Sequence, residues 1–150
     1  MYNSNKGLGV GDPAPAFVLR DNTGKEIDLE SLKGKVIYLD FWATWCTPCL
    51  TQMRNSKQWK KQFDGRPVEF LYISLDRNRL DWSKFLAAQN VEGIHVHAGD
   101  NKVFMSTIAQ LYKVKKLPAI FIINKEGQIE YSSGDPSILN ASAEIIQSLL

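Results

Sequence analysis

At 150 residues, 44% hydrophobic and 23% charged, the chain is sized for one globular domain around a single core. A formal net charge of +2 with no concentrated basic stripe argues against a nucleic-acid surface, and no segment nears the roughly 18 apolar residues that span a bilayer. Two cysteines, Cys46 and Cys49, cannot build a disulfide scaffold.

The start, MYNSNKGLGVGD, is polar and Gly-rich and carries no apolar signal-peptide stretch, which leaves the compartment open. Residues 1–12 are expected to form a flexible arm ahead of one domain over 13–150. The prolines of DPAPAF hold the chain extended. FVLRDNTGKEIDL predicts a hairpin, with strands Phe17–Leu19 and Glu26–Leu29 about a turn at Asp21–Gly24. VIYLDF (Val36–Phe41) is a continuous apolar run of buried-strand type, interrupted by Asp40. A loosely amphipathic helix is expected from Thr47 to Phe63, with Leu50, Met53 and Lys57 along its inner side. VEFLYISL (Val68–Leu75) is a second buried strand.

Asp81 is expected to cap a helix reaching Gln89, with Trp82, Phe85 and Leu86 on one face. IHVHA reads as a short alternating strand whose His95 and His97 share a solvated face. A helix over Asn101–Tyr112 would turn Val103, Phe104, Ile108 and Leu111 inward. The lysines Lys113, Lys115 and Lys116 that follow read as a solvated face. PAIFIINKEGQIEYSS gives two strands about a Glu126–Gly127 turn, and Ser137–Leu150 closes the chain as a helix. Early strands alternate with helices, so they pair in parallel through right-handed crossovers, and the late hairpin adds antiparallel strands.

The cysteine pair falls where the Val36–Phe41 strand gives way to a helix. A thiol at a helix N-terminus meets the positive end of the macrodipole and unpaired N–H groups, which favours its thiolate. An ordinary thiol, with pKa about 8.5, is only roughly 3% ionised at pH 7. Cys46, beside Trp45, is expected to be the exposed attacking sulfur, and Cys49, one turn inward, the buried sulfur that resolves a mixed disulfide. Pro48 sits in the first turn, where its missing N–H costs little. A structural staple and a zinc site stay open as readings. The staple would close a tiny loop, and zinc would have to draw on His95 and His97, about 45 residues away. Covalent haem attachment needs a histidine where Leu50 follows Cys49. Asp40 is costly inside an apolar run unless paired; burial would raise its pKa, suiting it to take the proton of Cys49, with a structural hydrogen-bonded acid as the other reading.

DFWATWCTPC, followed about 70 residues later by KLPAIFIINKEGQI, resembles the thioredoxin superfamily. GDPAPAFVLRDNTGKEIDLESLKGKVIYLDFWATWC is similar to its TlpA/ResA-like thiol–disulfide oxidoreductases, and the likeness covers about residues 10–150. The resemblance implies an α/β thioredoxin fold, a central mixed β-sheet flanked by helices, with an extra N-terminal β-hairpin. It implies reduction or exchange of protein disulfides through Cys46 and Cys49, with Asp40 as the acid that moves the second cysteine's proton. Trp45, Thr47, Pro48, Leu117 and Pro118 would bind substrate, and Pro118 would be a cis-proline offering backbone to an extended chain. No metal is expected, and no cofactor beyond the pair's own disulfide. The implied partners are disulfide-bearing proteins and a membrane or soluble thiol reductant, not nucleic acid. The implied setting is a monomer, extracytoplasmic (periplasmic or membrane-tethered), as in cytochrome c maturation. Four positions depart from the pattern: Gln52 stands for a common Glu, Arg54 for a helix-kinking Pro, Lys116 for Gly and Ala119 for Thr. They bear on the substrate and the proton relay. The alternative is a peroxiredoxin-like thiol peroxidase, whose Pro-x-x-x-Thr-x-x-Cys motif is missing ahead of Cys46.

Overall fold

Every residue from Val36 to Trp42 is buried, so this strand must be covered on both faces, and the rest of the chain supplies that cover. The computed structural model describes residues 8–99, 102–133 and 141–150. In chain order the elements are β1 (Val18–Arg20), β2 (Glu26–Asp28), β3 (Val36–Trp42), α1 (Thr47–Lys60), β4 (Val68–Ser74), α2 (Arg79–Ala88), β5 (Ile94–His97), α3 (Thr107–Leu111), β6 (Ala119–Ile123), β7 (Ile129–Ser133) and α4 (Ser142–Leu149). The sheet runs β5-β4-β3-β6-β7, with β3, β4 and β5 parallel and β6 and β7 antiparallel. β1 and β2 form a separate hairpin, tied to β5 by a bridge between Asp21 and Val96.

Side-chain alternation divides the cover. Ile37, Leu39 and Phe41 point into an apolar layer with Phe17 and Leu29 beside the hairpin and Ile108 and Tyr112 at α3. The opposite face, carrying Val36, Tyr38, Asp40 and Trp42, meets α1 and α2 at one end and α4 at the other. The expected mixed sheet with an added hairpin is therefore present.

Several local expectations change. Ser106 breaks the predicted 101–112 helix: its hydroxyl accepts the Ala109 N–H at 3.3 Å and starts α3 afresh after a single 3-10 turn, Val103–Met105. The new phase leaves Leu111 44% exposed and turns Tyr112 inward instead. Asn78, rather than Asp81, caps α2 by accepting the Leu80 N–H at 2.8 Å. α1 ends at Lys60, and a 3-10 turn carries the chain on through Phe63.

His95 and His97 are buried rather than solvated, because α2 and the end of α1 cover their face. The His95 ring stacks on Tyr72 at 4.9 Å, and His97 packs against Trp82 at 5.4 Å. Of the expected arm, residues 1–7 lie outside the described residues. Gly11 and Asp12 are hydrogen-bonded to Ile129 at the start of β7, at 2.7 and 2.9 Å. The beginning of the predicted C-terminal helix, 137–140, also lies outside them.

Gly93, where the chain enters β5, has φ +134°, and a Cβ there would come within 2.8 Å of both the Phe70 carbonyl oxygen and the Tyr72 ring. Gly93→Ala should therefore lower unfolding free energy by about 2 kcal/mol or more in urea titration. An unchanged midpoint would show that the sheet edge gives way freely.

Candidate functional site

The site forms where β3 stops. Leu75 N–H still bonds the Trp42 carbonyl at 2.8 Å, and then the chain turns through Ala43–Cys46 into α1. Asp76, just past β4, clamps this turn: its carboxylate accepts the Thr44 N–H at 3.0 Å, the Thr44 hydroxyl at 2.7 Å and the Ser74 hydroxyl at 2.6 Å. Its own carbonyl lies 2.7 Å from His97 Nε2, and Gly99 N–H donates to His97 Nδ1 at 3.1 Å. No sequence motif announced Asp76; the only signal was a Ser-x-Asp spacing at the end of an apolar strand.

Cys46 is the N-cap of α1 and is disulfide-bonded to Cys49, with Cα atoms 5.3 Å apart. The Cys49 N–H points at Cys46 Sγ from 3.3 Å, so a free donor of the first turn is aimed at that sulfur. The first turn contains no acidic residue to oppose a thiolate. Cys46 keeps 5% of its surface and Cys49 none. The expected order of access holds, but Cys46 is far less open than expected because, as N-cap, it turns its sulfur back onto the helix. Trp45 (57% exposed), Thr47 and Pro48 lie on the surface around it. The Leu117–Pro118 peptide is cis, and Leu117 packs against the cluster of Trp42, Cys46, Cys49, Met53, Tyr72 and Trp82. The loop expected to bind substrate thus reaches the cysteines from β6.

Behind the pair, the inner face of α1 is polar. Cys49, Gln52, Met53, Ser56 and Lys60 are buried, whereas Lys57, expected inside, is exposed. Gln52 Nε2–H donates to Tyr38 Oη at 2.6 Å, and Lys60 Nζ donates to Tyr72 Oη at 2.7 Å and to the Glu92 carbonyl at 2.6 Å. Asp40 lies in this layer, 1% exposed, with Tyr38 two residues before it on the same face and Tyr72 beside it in the β3–β4 register. Its Oδ1 has no hydrogen-bond partner among the described residues. Burial holds the Asp40 carboxyl well above the usual carboxylate range, opposed by the Lys60 ammonium. Burial likewise raises the Tyr38 and Tyr72 phenols, and their shifts include a contribution from Asp40. Of the four departures noted in the sequence, Gln52 and Ala119 are buried, while Arg54 and Lys116 are exposed. His95 and His97 both spend Nε2 on backbone carbonyls, those of Val91 and Asp76.

Residues 10–132 match the AhpC/TSA family. The thiol-disulfide oxidoreductase ResA of Bacillus subtilis (strain 168) is 32% identical over 129 residues, covering 86% of this chain and 69% of the relative. A ResA of Oceanobacillus iheyensis is 32% identical over 135 residues, 87% of this chain and 67% of the relative. Among solved structures, a protein assigned as thiol:disulfide interchange protein DsbE from Chlorobium tepidum superposes with a TM-score of 0.83 at 30% identity, covering 95% of this chain and 98% of its own. A protein assigned as a thiol-disulfide oxidoreductase from Bacteroides vulgatus gives 0.80, also at 30% identity, with 95% and 98% covered.

A carboxyl whose folded pKa exceeds its unfolded value near 3.9 stabilises the fold while protonated and loses that contribution as pH rises toward the folded pKa. Asp40→Asn should remove this loss. In urea titrations across pH, the variant's advantage should grow above about pH 4, by about 1.4 kcal/mol for each pH unit crossed between the two pKa values. Parallel stability curves would mean that Asp40 titrates like a surface carboxylate.

Proposed function

The chain belongs to the AhpC/TSA family, among the ResA-like thiol–disulfide oxidoreductases of the thioredoxin superfamily, and on that premise we propose that it reduces protein disulfides by two-step exchange through Cys46 and Cys49. The observation that carries this reading is the placement of Cys46 Sγ at the α1 N-terminus, where it accepts the Cys49 N–H and is bonded to Cys49 one turn below.

In the reduced protein the Cys46 thiolate attacks one sulfur of a substrate disulfide and expels the other as a thiolate, leaving a mixed disulfide. Cys49 then loses its proton to Asp40 while its sulfur attacks Cys46 Sγ. The Cys46–Cys49 disulfide forms, and the second substrate sulfur leaves as a thiolate. Two electrons pass to the substrate, and the chain ends in the oxidised state seen here. The pair is itself the electron carrier, and an external dithiol restores it. Trp45, Thr47 and Pro48 on one side and the Leu117–Pro118 loop on the other supply the contacts for an extended substrate segment. The family resemblance supports an extracytoplasmic workplace, a thiol reductant there as electron donor, and apocytochrome c among the substrate classes. The peroxidase alternative is less supported: the relatives reported above are named for thiol–disulfide chemistry, and both cysteines sit in one helical turn.

With insulin as a model disulfide substrate and dithiothreitol as donor, Cys46→Ala should abolish catalysed reduction. Cys49→Ala should instead accumulate a substrate-linked adduct at Cys46, visible by intact-mass spectrometry. Asp40→Asn should slow the second step about 100-fold near neutral pH, the usual scale for loss of a positioned base. Full turnover by Cys46→Ala would overturn the assignment.

A further inference from the structure

Lys60 is a lysine in a place where lysines are rare: on the inner face of α1, 8% exposed, with its ammonium 4.9 Å from the Tyr72 ring and 5.0 Å from that of Phe70. It lies eleven residues beyond Cys49, about 16 Å along the helix, so it touches neither cysteine nor the docking face. What it does touch is Tyr72 Oη, and Tyr72 is the register partner of Asp40 and a member of the cluster around Cys49. The sheet therefore carries one lateral row, Asp40–Tyr72–His95, across three strands on the face that α1 covers. Lys60 brings a charged group to that row from above, and Asp40 brings an oxygen with no hydrogen-bond partner among the described residues.

We infer that Lys60 is a positioning residue for the resolving step: held through Tyr72, it fixes the proton affinity of Asp40 from the end of α1 opposite the docked substrate. The inference rests on the exchange reaction proposed above. Asp40 accepts the Cys49 proton only as a carboxylate, and a carboxylate sealed in this layer needs a positive charge nearby. The groups facing the pair are Tyr38 on β3, Tyr72 on β4, His95 on β5, Lys57 on α1, and Glu92 ahead of β5; Tyr131 on β7 acts on Tyr38 in turn. Burial lowers the Lys60 ammonium to about 8, countered by Glu92 and Asp40 and reinforced by Lys57, which leaves it mostly protonated at pH 7. His95 is held below its usual value by burial and supplies no competing charge there.

Lys60 also has its own route to water. A cleft of about 260 Å³, lined by Lys57, Gln58, Lys60, Lys61, Asn90 and Glu92, opens at its end of α1. A substrate chain over Trp45 and Pro118 leaves this cleft uncovered, so the charge that sets Asp40 stays in contact with solvent throughout the reaction.

The test is stopped-flow reaction of the reduced protein with dithionitrobenzoate across pH. The first thionitrobenzoate released reports Cys46 attack, and the second reports resolution by Cys49. Lys60→Met should keep the first phase and move the midpoint of the second phase's pH profile upward by about one unit, as loss of a nearby opposite charge does. Lys60→Arg should restore the wild-type profile. Absence of the first phase in the wild type would overturn the exchange reading itself. A normal first phase with an unmoved second profile in Lys60→Met would overturn only the role of Lys60. Should Lys60→Met fail to fold, carbon-13 NMR of the wild type decides: the Lys60 ε-carbon should shift as the Asp40 carboxyl titrates, and an ε-carbon blind to that titration overturns the inference.

Discussion

A carboxyl group in the middle of the central strand is the constraint on which one whole face of this molecule depends. Asp40 cannot reach water from β3, and an ionised carboxylate there is tolerable only among groups that can share its charge or its proton. Tyr38, Tyr72 and Lys60 feel that charge directly, and the buried Gln52 and Ser56 extend the polar layer around them, drawn in all from two strands and one helix. The result is a helix whose inner stripe is half polar, which forfeits apolar burial that an ordinary core helix would gain.

The two faces of the sheet thereby divide the labour. The hairpin and α3 pack an all-apolar layer under Ile37, Leu39 and Phe41, with Tyr112 tying it to the incoming chain through its hydroxyl on the Pro15 carbonyl at 2.7 Å. The α1 face gives up part of that stability for chemistry. Its polar layer ends at Cys49, and one residue cap further on the chain meets solvent at Trp45. On the reading proposed above, electron transfer takes place at this boundary and proton handling lies behind it. Asp76 keeps the boundary rigid, because the turn that holds Cys46 is fastened to β4 by three hydrogen bonds from Thr44.

Much of this was legible in the residues. Val36–Phe41 and Val68–Leu75 announced buried strands by unbroken apolar runs, and the cysteine spacing after the first of them located the helix start. The cis bond at Pro118 followed from the family likeness, since no local pattern specifies it. The polar interior was not legible for a physical reason. Reading a helix face from apolar spacing fails when the buried positions are Gln52, Ser56 and Lys60, so Lys57 was expected inside where Lys60 is found. His95 and His97 misled in the same way: period-two spacing gives a shared face, but only tertiary structure reveals that α2 covers it. Ser106 shows a third limit, a local side-chain bond that outcompetes a helical pattern otherwise consistent from 101 to 112.

The central claim is that electron transfer at Cys46 and Cys49 is coupled to the proton on Asp40. The most direct measurement is the reduction potential of the pair as a function of pH, for the wild type and Asp40→Asn, each equilibrated against a dithiol couple. The account predicts that the wild-type potential falls more steeply through the window where Asp40 titrates, because reduction there takes up an additional proton, and that the Asn variant lacks this steeper segment. Two curves that differ only by a constant offset, or a pair that fails to equilibrate with the couple at all, would contradict it.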